Sequence, residues 1–509
     1  MLKKKDSISK EKKEYISPQM KEFLEREAER SNKNKAKNRP IVFMTYIMVI
    51  TFMALFGYVI YFMVHDADRV VADSHNKRQS SFDKFVTRGE IISGDDVVLA
   101  ETKTDDEGND KRYYPYGSLF AHTVGYNSYG GDGIELEYNF QLMRSHSNIV
   151  SKIFDDLNDE KHDGDNVYTT YNCELTQAAA DALGGANGAV VVMDADTGDI
   201  LVMYSSPTFD PNDIDSVWEN VHSDEGSSST VLLNRCTQGM YAPGSTFKVV
   251  TALEYMREHK DYEDYTHDCY GSDIFNSVSI RCSNSTEHGT LNLKGSLAKS
   301  CNTSFANIGS NEIDIGKLHS LAEDLLFNKK LPYDYGYSMS QFVLDKDSDD
   351  SEIPQTVIGQ GDTLITPLHN ALIMDAIANG GVMMKPRAVT EIRSVNDALI
   401  EKVPVKSYGQ VLEPELAKDI IPMLEAVCSE GTASEYMAYK SYPVAGKTGT
   451  AEYDNNGNCN SWFVGFTGGN DPDIVVSVIV EDYTTNQISG TSVASQIMDR
   501  YYEISEKTK

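Results

Sequence analysis

Residues 41–64 read IVFMTYIMVITFMALFGYVIYFMV, without a single charge. As a helix this run is about 36 Å long, enough to cross a hydrocarbon core of about 30 Å. A buried core helix is seldom apolar for so long. A cleaved signal peptide has a shorter apolar stretch followed by a small-residue cleavage site, and no such site follows here. The run therefore reads as one transmembrane helix, and it organises the rest of the chain. Residues 1–40 hold 13 Lys/Arg against 7 Asp/Glu, a net +6, which predicts that this tail stays in the cytoplasm. The whole chain carries −31, so everything after residue 40 carries −37. So acidic an exterior argues against nucleic acid as a partner. Within the tail, KEFLEREAER reads as a short helix with a solvated, mixed-charge surface.

The exterior divides by texture. Residues 65–165 are polar, with short apolar runs and turn signals at Gly94-Asp95, Gly117 and Gly130-Gly131; they read as a small mixed segment without catalytic residues. From residue 166 onward the pattern strengthens. Ala178, Ala179, Ala182 and Leu183 mark a helix before Gly184-Gly185, and GAVVVMDADTGDILVMYSSP reads as a β-hairpin. Helices are expected from Ser245, near 291–308 and at 366–379. Strands return in KTGTAEY, in SWFVGF after the turn Asn455-Asn456-Gly457-Asn458, and in DIVVSVIVED. A last helix carries Val493, Ile497, Met498 and Tyr501. Hairpins at both ends with helices between predict an α+β fold, an antiparallel sheet covered by helices. The expected organisation is a tail (1–40), a membrane helix (41–64), a small domain (65–165) and a large domain (166–509).

Seven cysteines stand at 173, 236, 269, 282, 301, 428 and 459, with no C-x-x-C and no zinc spacing. No metal and no cofactor are expected. An exported domain permits a disulfide, and Cys269 and Cys282 are the pair closest in sequence; the odd total leaves at least one free thiol. His122, His288 and His369 read as structural histidines.

The chemistry lies in three motifs. In 241-YAPGSTFKVV-250, Pro243-Gly244 is a turn, and a helix starting at Ser245 puts Ser245 and Lys248 one turn apart on one face. A hydroxyl beside an amine suits an activated nucleophile. Alone the spacing means little, since Ser7/Lys10, Ser81/Lys84 and Ser296/Lys299 share it. Two further motifs follow it: Ser300-Cys301-Asn302, and Lys447-Thr448-Gly449-Thr450 at the start of a strand. A chance K-T-G is expected about once in several thousand residues.

The order S-x-x-K, S-x-N, K-T-G resembles the penicillin-binding proteins and serine β-lactamases. NRCTQGMYAPGSTFKVVTALE, GTLNLKGSLAKSCNTSF, IGQGDTLITPLHNALIMDAIANGG, AGKTGTAE and WFVGF are similar to the transpeptidase domain of that family. RGEIISGDDVVLA, RYYPYGSLFAHTVGY and GIELEYN resemble the membrane-proximal pedestal of its monofunctional class B members, with Arg88, Gly89 and Glu135 holding domains together. Ser93-Gly94-Asp95-Asp96 and Thr170-Tyr171-Asn172 depart from the family's usual turn and domain entrance, both outside the catalytic set. The resemblance implies a serine D,D-transpeptidase that cross-links peptidoglycan stem peptides and is acylated by β-lactams. Ser245 is then the nucleophile and Lys248 its base; Ser300 relays the proton to the leaving amine, and Asn302 holds the substrate amide and Lys248. Lys447, Thr448 and Thr450 receive the substrate carboxylate, the Thr450 N–H aids the oxyanion, and Gly449 leaves room for the substrate backbone. Glu452 reads as a solvated strand residue.

The segment between the membrane helix and residue 166 is too short for a glycosyltransferase domain, so the resemblance implies a polytopic membrane glycosyltransferase as partner. A D,D-carboxypeptidase or β-lactamase shares the acylation step; a drug sensor or a silent scaffold are the non-enzymatic readings. The β-lactamase E-x-x-L-N loop has its nearest counterpart in 323-EDLLFN-328, where Phe327 replaces the Asn and a helix with Leu325, Leu326 and Phe327 in the core is expected.

Overall fold

The computed structural model describes residues 17–65, 86–106, 108–146, 157, 161–223, 226, 228–453, 457–469 and 471–508. Residues 65–85 of the small domain therefore lie almost wholly outside the described residues, and so does the first half of the turn expected at Asn455–Asn458. The chain divides into two compact units, residues 1–73 and 74–509.

Among its described residues the first unit holds one helix, Pro18–His65, continuous through the expected short tail helix and the apolar run. Lys, Glu and Arg are good helix formers, and the helix runs on through Pro40, which supplies no backbone N–H just before the apolar run. One helix here is long and apolar enough to cross a membrane, and none of its apolar stretch is buried in protein. A helix satisfies its backbone internally, as a lipid solvent requires. The hydroxyls of Thr45 and Thr51 likewise donate back to the carbonyls of Ile41 and Ile47, each at 2.9 Å.

In the second unit a six-stranded sheet runs Leu399–Lys402, Val389–Arg393, Asn166–Thr169, Ile91–Ile92, Val98–Thr104, Asp110–Tyr113. Two of its strands thus come from far along the chain, and Val389 pairs antiparallel with Thr169. The sheet spans the expected boundary at 165/166. Beside it lies a buried charge cluster: Glu135 accepts from Arg88 Nε and from Arg112 Nε, both at 2.6 Å. Arg112 Nη1 also donates to Gly89 O at 2.7 Å. Gly89 has no room for a side chain, because a Cβ there would sit 2.0 Å from Asp165 O. The two arginines hold the buried Glu135 carboxyl below its ordinary range despite the opposing cost of burial. These contacts tie segments of the pedestal to one another, whereas the sequence predicts that Arg88, Gly89 and Glu135 hold domains together.

A second sheet is five-stranded and antiparallel throughout, in the order Val444–Glu452, Cys459–Thr467, Ile474–Val480, Gly188–Asp194, Ile200–Ser206. The hairpin predicted from GAVVV…ILVMYSS closes here, with Gly188 opposite Ser206. Every residue of Ile474–Val480 is buried, so both faces of the sheet are covered. Pro367–Ala378 packs on three of its strands and is buried almost throughout. That helix begins where sequence rules place it: Thr366 caps it by accepting from His369 N, and Pro367 takes the first turn. Gly490–Thr508 buries Val493, Ile497 and Met498 against the sheet and against Cys173–Leu183. The strand bearing the K-T-G motif is an edge strand of this sheet.

Candidate active site

Ser245 lies in a single 3₁₀ turn, Gly244–Thr246, and the helix proper runs Lys248–Glu258. The helix expected from Ser245 therefore begins three residues later, because Gly244 enters the turn with a left-handed φ of 54°. Sterics require glycine there: a Cβ on Gly244 would lie 2.6 Å from Thr450 O. Gly359 does the same from the other side, accepting the Gly244 N–H at 2.8 Å with room for no side chain of its own. Phe247 anchors the turn against Phe342 and Phe327, with ring centroids 5.2 and 5.8 Å away.

The second motif follows the helix Leu293–Ala298, which ends as Ser300 N–H returns to Leu297 O at 3.1 Å. Ser300 takes a left-handed φ of 53°, uncommon for a residue with a side chain, and this brings its carbonyl within reach of Lys248. Asn302 opens the next helix, Asn302–Asn307. Its Nδ2 donates to Arg281 O at 2.7 Å, which leaves Oδ1 facing the lysine.

Lys248 and Lys447 are fully buried and meet at Ser300. Lys248 Nζ is 3.0 Å from Ser245 Oγ, 2.9 Å from Ser300 O, 3.2 Å from Ser300 Oγ and 2.5 Å from Asn302 Oδ1. Lys447 Nζ donates to Ser300 Oγ at 3.0 Å and to Thr448 O at 2.9 Å. Burial lowers the Lys248 amine to about 7, against a smaller upward pull from Cys301 and Cys282. Burial, reinforced by Lys248, also holds Lys447 well below its ordinary value. A neutral Lys248 amine has two protons and one lone pair. The Ser300 carbonyl and Asn302 Oδ1 can only accept, so they take the two protons. The lone pair is left for a hydroxyl, and Ser245 Oγ at 3.0 Å is nearer to it than Ser300 Oγ at 3.2 Å.

On the K-T-G strand, Thr448 and Thr450 alternate with the buried Lys447 and Gly449. Thr448 Oγ1 lies 2.5 Å from Thr432 Oγ1, and Gln360 Nε2 reaches Thr450 O at 3.5 Å; the sequence singled out neither partner. At Gly449 a Cβ would come to 3.0 Å from Pro243 O, Thr246 Cγ2 and Trp462 Cβ. The glycine makes room for the turn that carries Ser245. Trp462 supports that turn by donating Nε1–H to Ala242 O at 3.1 Å. Glu452 is exposed, as expected.

In 323-EDLLFN-328 the helix stops at Asp324, and Leu326 turns with φ 75°. Leu325, Leu326 and Phe327 are nevertheless buried. Two histidines are structural: His122 Nε2 meets Val231 O at 2.8 Å and His369 Nε2 meets Leu325 O at 2.7 Å, and burial lowers both to about 4. His288 differs, with Nδ1 3.4 Å from Cys269 Sγ. All seven cysteines are free, and Cys269 and Cys282 stand 3.6 Å apart at sulfur, without a bond. The fold instead gathers Cys269, Cys282, His288 and Cys301, a grouping that their spacing did not signal.

The family model of the penicillin binding protein transpeptidase domain matches residues 188–502, and that of the penicillin binding protein A dimerisation domain matches residues 88–167. A curated relative, the peptidoglycan D,D-transpeptidase PbpA of Mycolicibacterium smegmatis, is 28% identical over 445 residues, covering 82% of this chain and 89% of the relative. Among solved structures, a D,D-transpeptidase domain of a peptidoglycan glycosyltransferase from Eggerthella lenta is 31% identical, with TM-score 0.72 over 82% of this chain and 98% of that one. A cephalosporin acyl-enzyme complex of penicillin-binding protein A from M. tuberculosis is 25% identical, with TM-score 0.73 over 83% and 99%. The transpeptidase match alone spans well over half of the sequence and contains all three motifs in order, so the chain belongs to the penicillin-binding protein transpeptidase family.

Proposed function

We propose that this chain is a membrane-anchored class B serine D,D-transpeptidase that cross-links peptidoglycan stem peptides and is blocked by β-lactams. One observation carries the assignment of roles: Lys248 Nζ lies 3.0 Å from Ser245 Oγ while two acceptors, Ser300 O and Asn302 Oδ1, orient it. Ser245 Oγ attacks the carbonyl carbon between the two D-Ala residues of a donor stem, and its proton passes to Lys248. Negative charge builds on the carbonyl oxygen, beside the backbone N–H groups of the Ser245 turn and of Thr450. The tetrahedral intermediate collapses by breaking the C–N bond, and the departing D-Ala amine takes a proton through Ser300. An acceptor amine then attacks the ester, forms the cross-link and returns the proton to Ser245. Lys447, Thr448 and Thr450 bind the terminal carboxylate of the donor, and Asn302 holds its amide. A β-lactam follows the same first step, but its broken C–N bond stays tethered in the opened ring, so no leaving group vacates the site.

The basic tail, 1–40, faces the cytoplasm in this reading, with 41–64 in the membrane, a pedestal over 65–165 to which 389–402 adds strands, and the catalytic domain over 166–509. Glycan strands come from a separate polytopic membrane glycosyltransferase. The test is to incubate the full chain in detergent with glycan strands carrying pentapeptide stems. D-Ala release together with cross-linked stems is expected, and both should vanish in Ser245→Ala. D-Ala release without cross-links would make the protein a carboxypeptidase instead.

A further inference from the structure

Cys269 ends the short strand His267–Cys269, which pairs with Gly289–Leu291. Cys282 follows the strand Val278–Arg281, and His288 directly precedes Gly289. Cys301 separates the two residues of the second catalytic motif. The four donor atoms all lie within 4.8 Å of one another.

Three of their six separations match the edges of a tetrahedral metal site, and all six lie within 4.8 Å. Metal–thiolate bonds of about 2.3 Å and a metal–imidazole bond of about 2.05 Å give, at the tetrahedral angle, S···S edges of about 3.8 Å and S···N edges of about 3.6 Å. The structure has Cys269–Cys282 at 3.6 Å, Cys282–Cys301 at 3.8 Å and Cys269 Sγ–His288 Nδ1 at 3.4 Å. A disulfide would need about 2.05 Å, and with three thiols in the cluster one would always be left over.

Plain packing explains the cluster less well. Buried thiols behave as small hydrophobes and seek apolar company. Among the described residues, the one partly buried hydrophobic side chain packed on these three sulfurs is Leu291. Polar donors face the sulfur instead: Ser304 N–H donates to Cys301 Sγ at 3.5 Å, and Thr303 Oγ1 is 3.3 Å from the same atom. Such hydrogen bonds suit a thiolate ligand. The three cysteines are buried and His288 is half-buried, so the imidazole side supplies a route in for an ion.

We infer that Cys269, Cys282, His288 and Cys301 form a closed structural zinc site directly behind the Ser300–Asn302 motif. Zn²⁺ binding displaces three thiol protons to solvent, forms three Zn–S bonds and one Zn–N bond, and requires no redox partner. Cys301 acts as a positioning residue: a metal bond on its sulfur holds the loop in which Ser300 keeps its left-handed conformation and points its carbonyl at Lys248.

The test uses the full chain, purified in detergent with reductant and without chelator. Elemental analysis should find one zinc per chain. After stripping and addition of Co²⁺, the spectrum should show thiolate-to-cobalt charge transfer and the strong visible bands of a tetrahedral site. Cys282→Ser and His288→Ala should lose the metal, while Cys459→Ser, which alters a thiol outside the cluster, should keep it. Stripping the wild type should slow covalent labelling by a fluorescent penicillin roughly 10- to 100-fold, the scale of a displacement approaching 1 Å, and zinc should restore the rate. Metal content is read independently of the reaction, so a wrong catalytic assignment would leave that readout intact. Failure of the reduced wild type to bind Zn²⁺ or Co²⁺ would overturn the site. So would a Cys269–Cys282 disulfide in protein isolated without reductant. A labelling rate unchanged by complete metal removal would overturn the positioning role.

Discussion

If Lys248 is the base that activates Ser245, the rate of acylation must follow its neutral fraction. An ordinary lysine with a pKa of about 10.4 is uncharged at pH 7 in roughly one molecule in a few thousand. Lys248 is lowered to about 7, chiefly by burial, so about half the molecules hold a neutral amine at that pH. Between pH 5 and 7 the neutral fraction rises roughly 50-fold, and above pH 8 it gains less than about twofold. The second-order rate of labelling by a fluorescent penicillin, followed by quenching and gel electrophoresis from pH 5 to 9, should show that rise and plateau. The expected slope is near one decade per pH unit on the acid side. Lys248→Met should lose the limb and slow labelling by roughly 10²–10⁴-fold, the usual worth of a placed general base. A rate that is flat from pH 5 to 8 in folded protein, or one that rises only near pH 10, would refute the argument.

Gly449→Ala should slow acylation roughly tenfold by pushing on Pro243, Thr246 and Trp462, each 3.0 Å from the new methyl; an unchanged labelling rate would show that the nucleophile turn tolerates displacement. Glu135→Gln leaves Arg88 and Arg112 buried beside a neutral partner and should cost about 3–5 kcal/mol, read as a lower midpoint in thermal or urea unfolding. Penicilloyl-enzyme should persist for many minutes, because Glu323, which stands where a β-lactamase loop would start, is 3.6 Å from both Lys329 and His319; product release at several per second would place the chain among the β-lactamases.

Periodicity and motif spacing make the membrane helix, the Gly188–Ser206 hairpin, the final helix and the catalytic strand legible, because each is a local pattern of one element. The same residues cannot reveal the left-handed Ser300, whose conformation depends on how the preceding helix ends and on what Lys248 requires. Nor can they show that Val389–Arg393 completes a sheet begun near residue 91, since strand pairing at that separation leaves no local signature. For Leu325–Phe327 the sequence predicts the core correctly and the helix incorrectly: burial follows hydrophobicity, while Leu326 adopts a positive φ that no helix allows. At Gly449 the motif gives no sign of the steric limit set by the Ser245 turn packed against it. The cysteine–histidine cluster is the least legible feature. Its members sit in separate short segments at uneven intervals, and only the folding of those segments onto the second motif brings them to Cys301.

Ser245 is the residue proposed to be acylated, and the mass of the labelled peptide measures this most directly. After reaction with penicillin and proteolysis, the peptide containing Ala242-Pro243-Gly244-Ser245 should carry the drug's full mass, and fragmentation should place it on Ser245. Ser245→Ala should carry none. An adduct that persists in that variant, or that maps to any other residue in the wild type, would contradict the account.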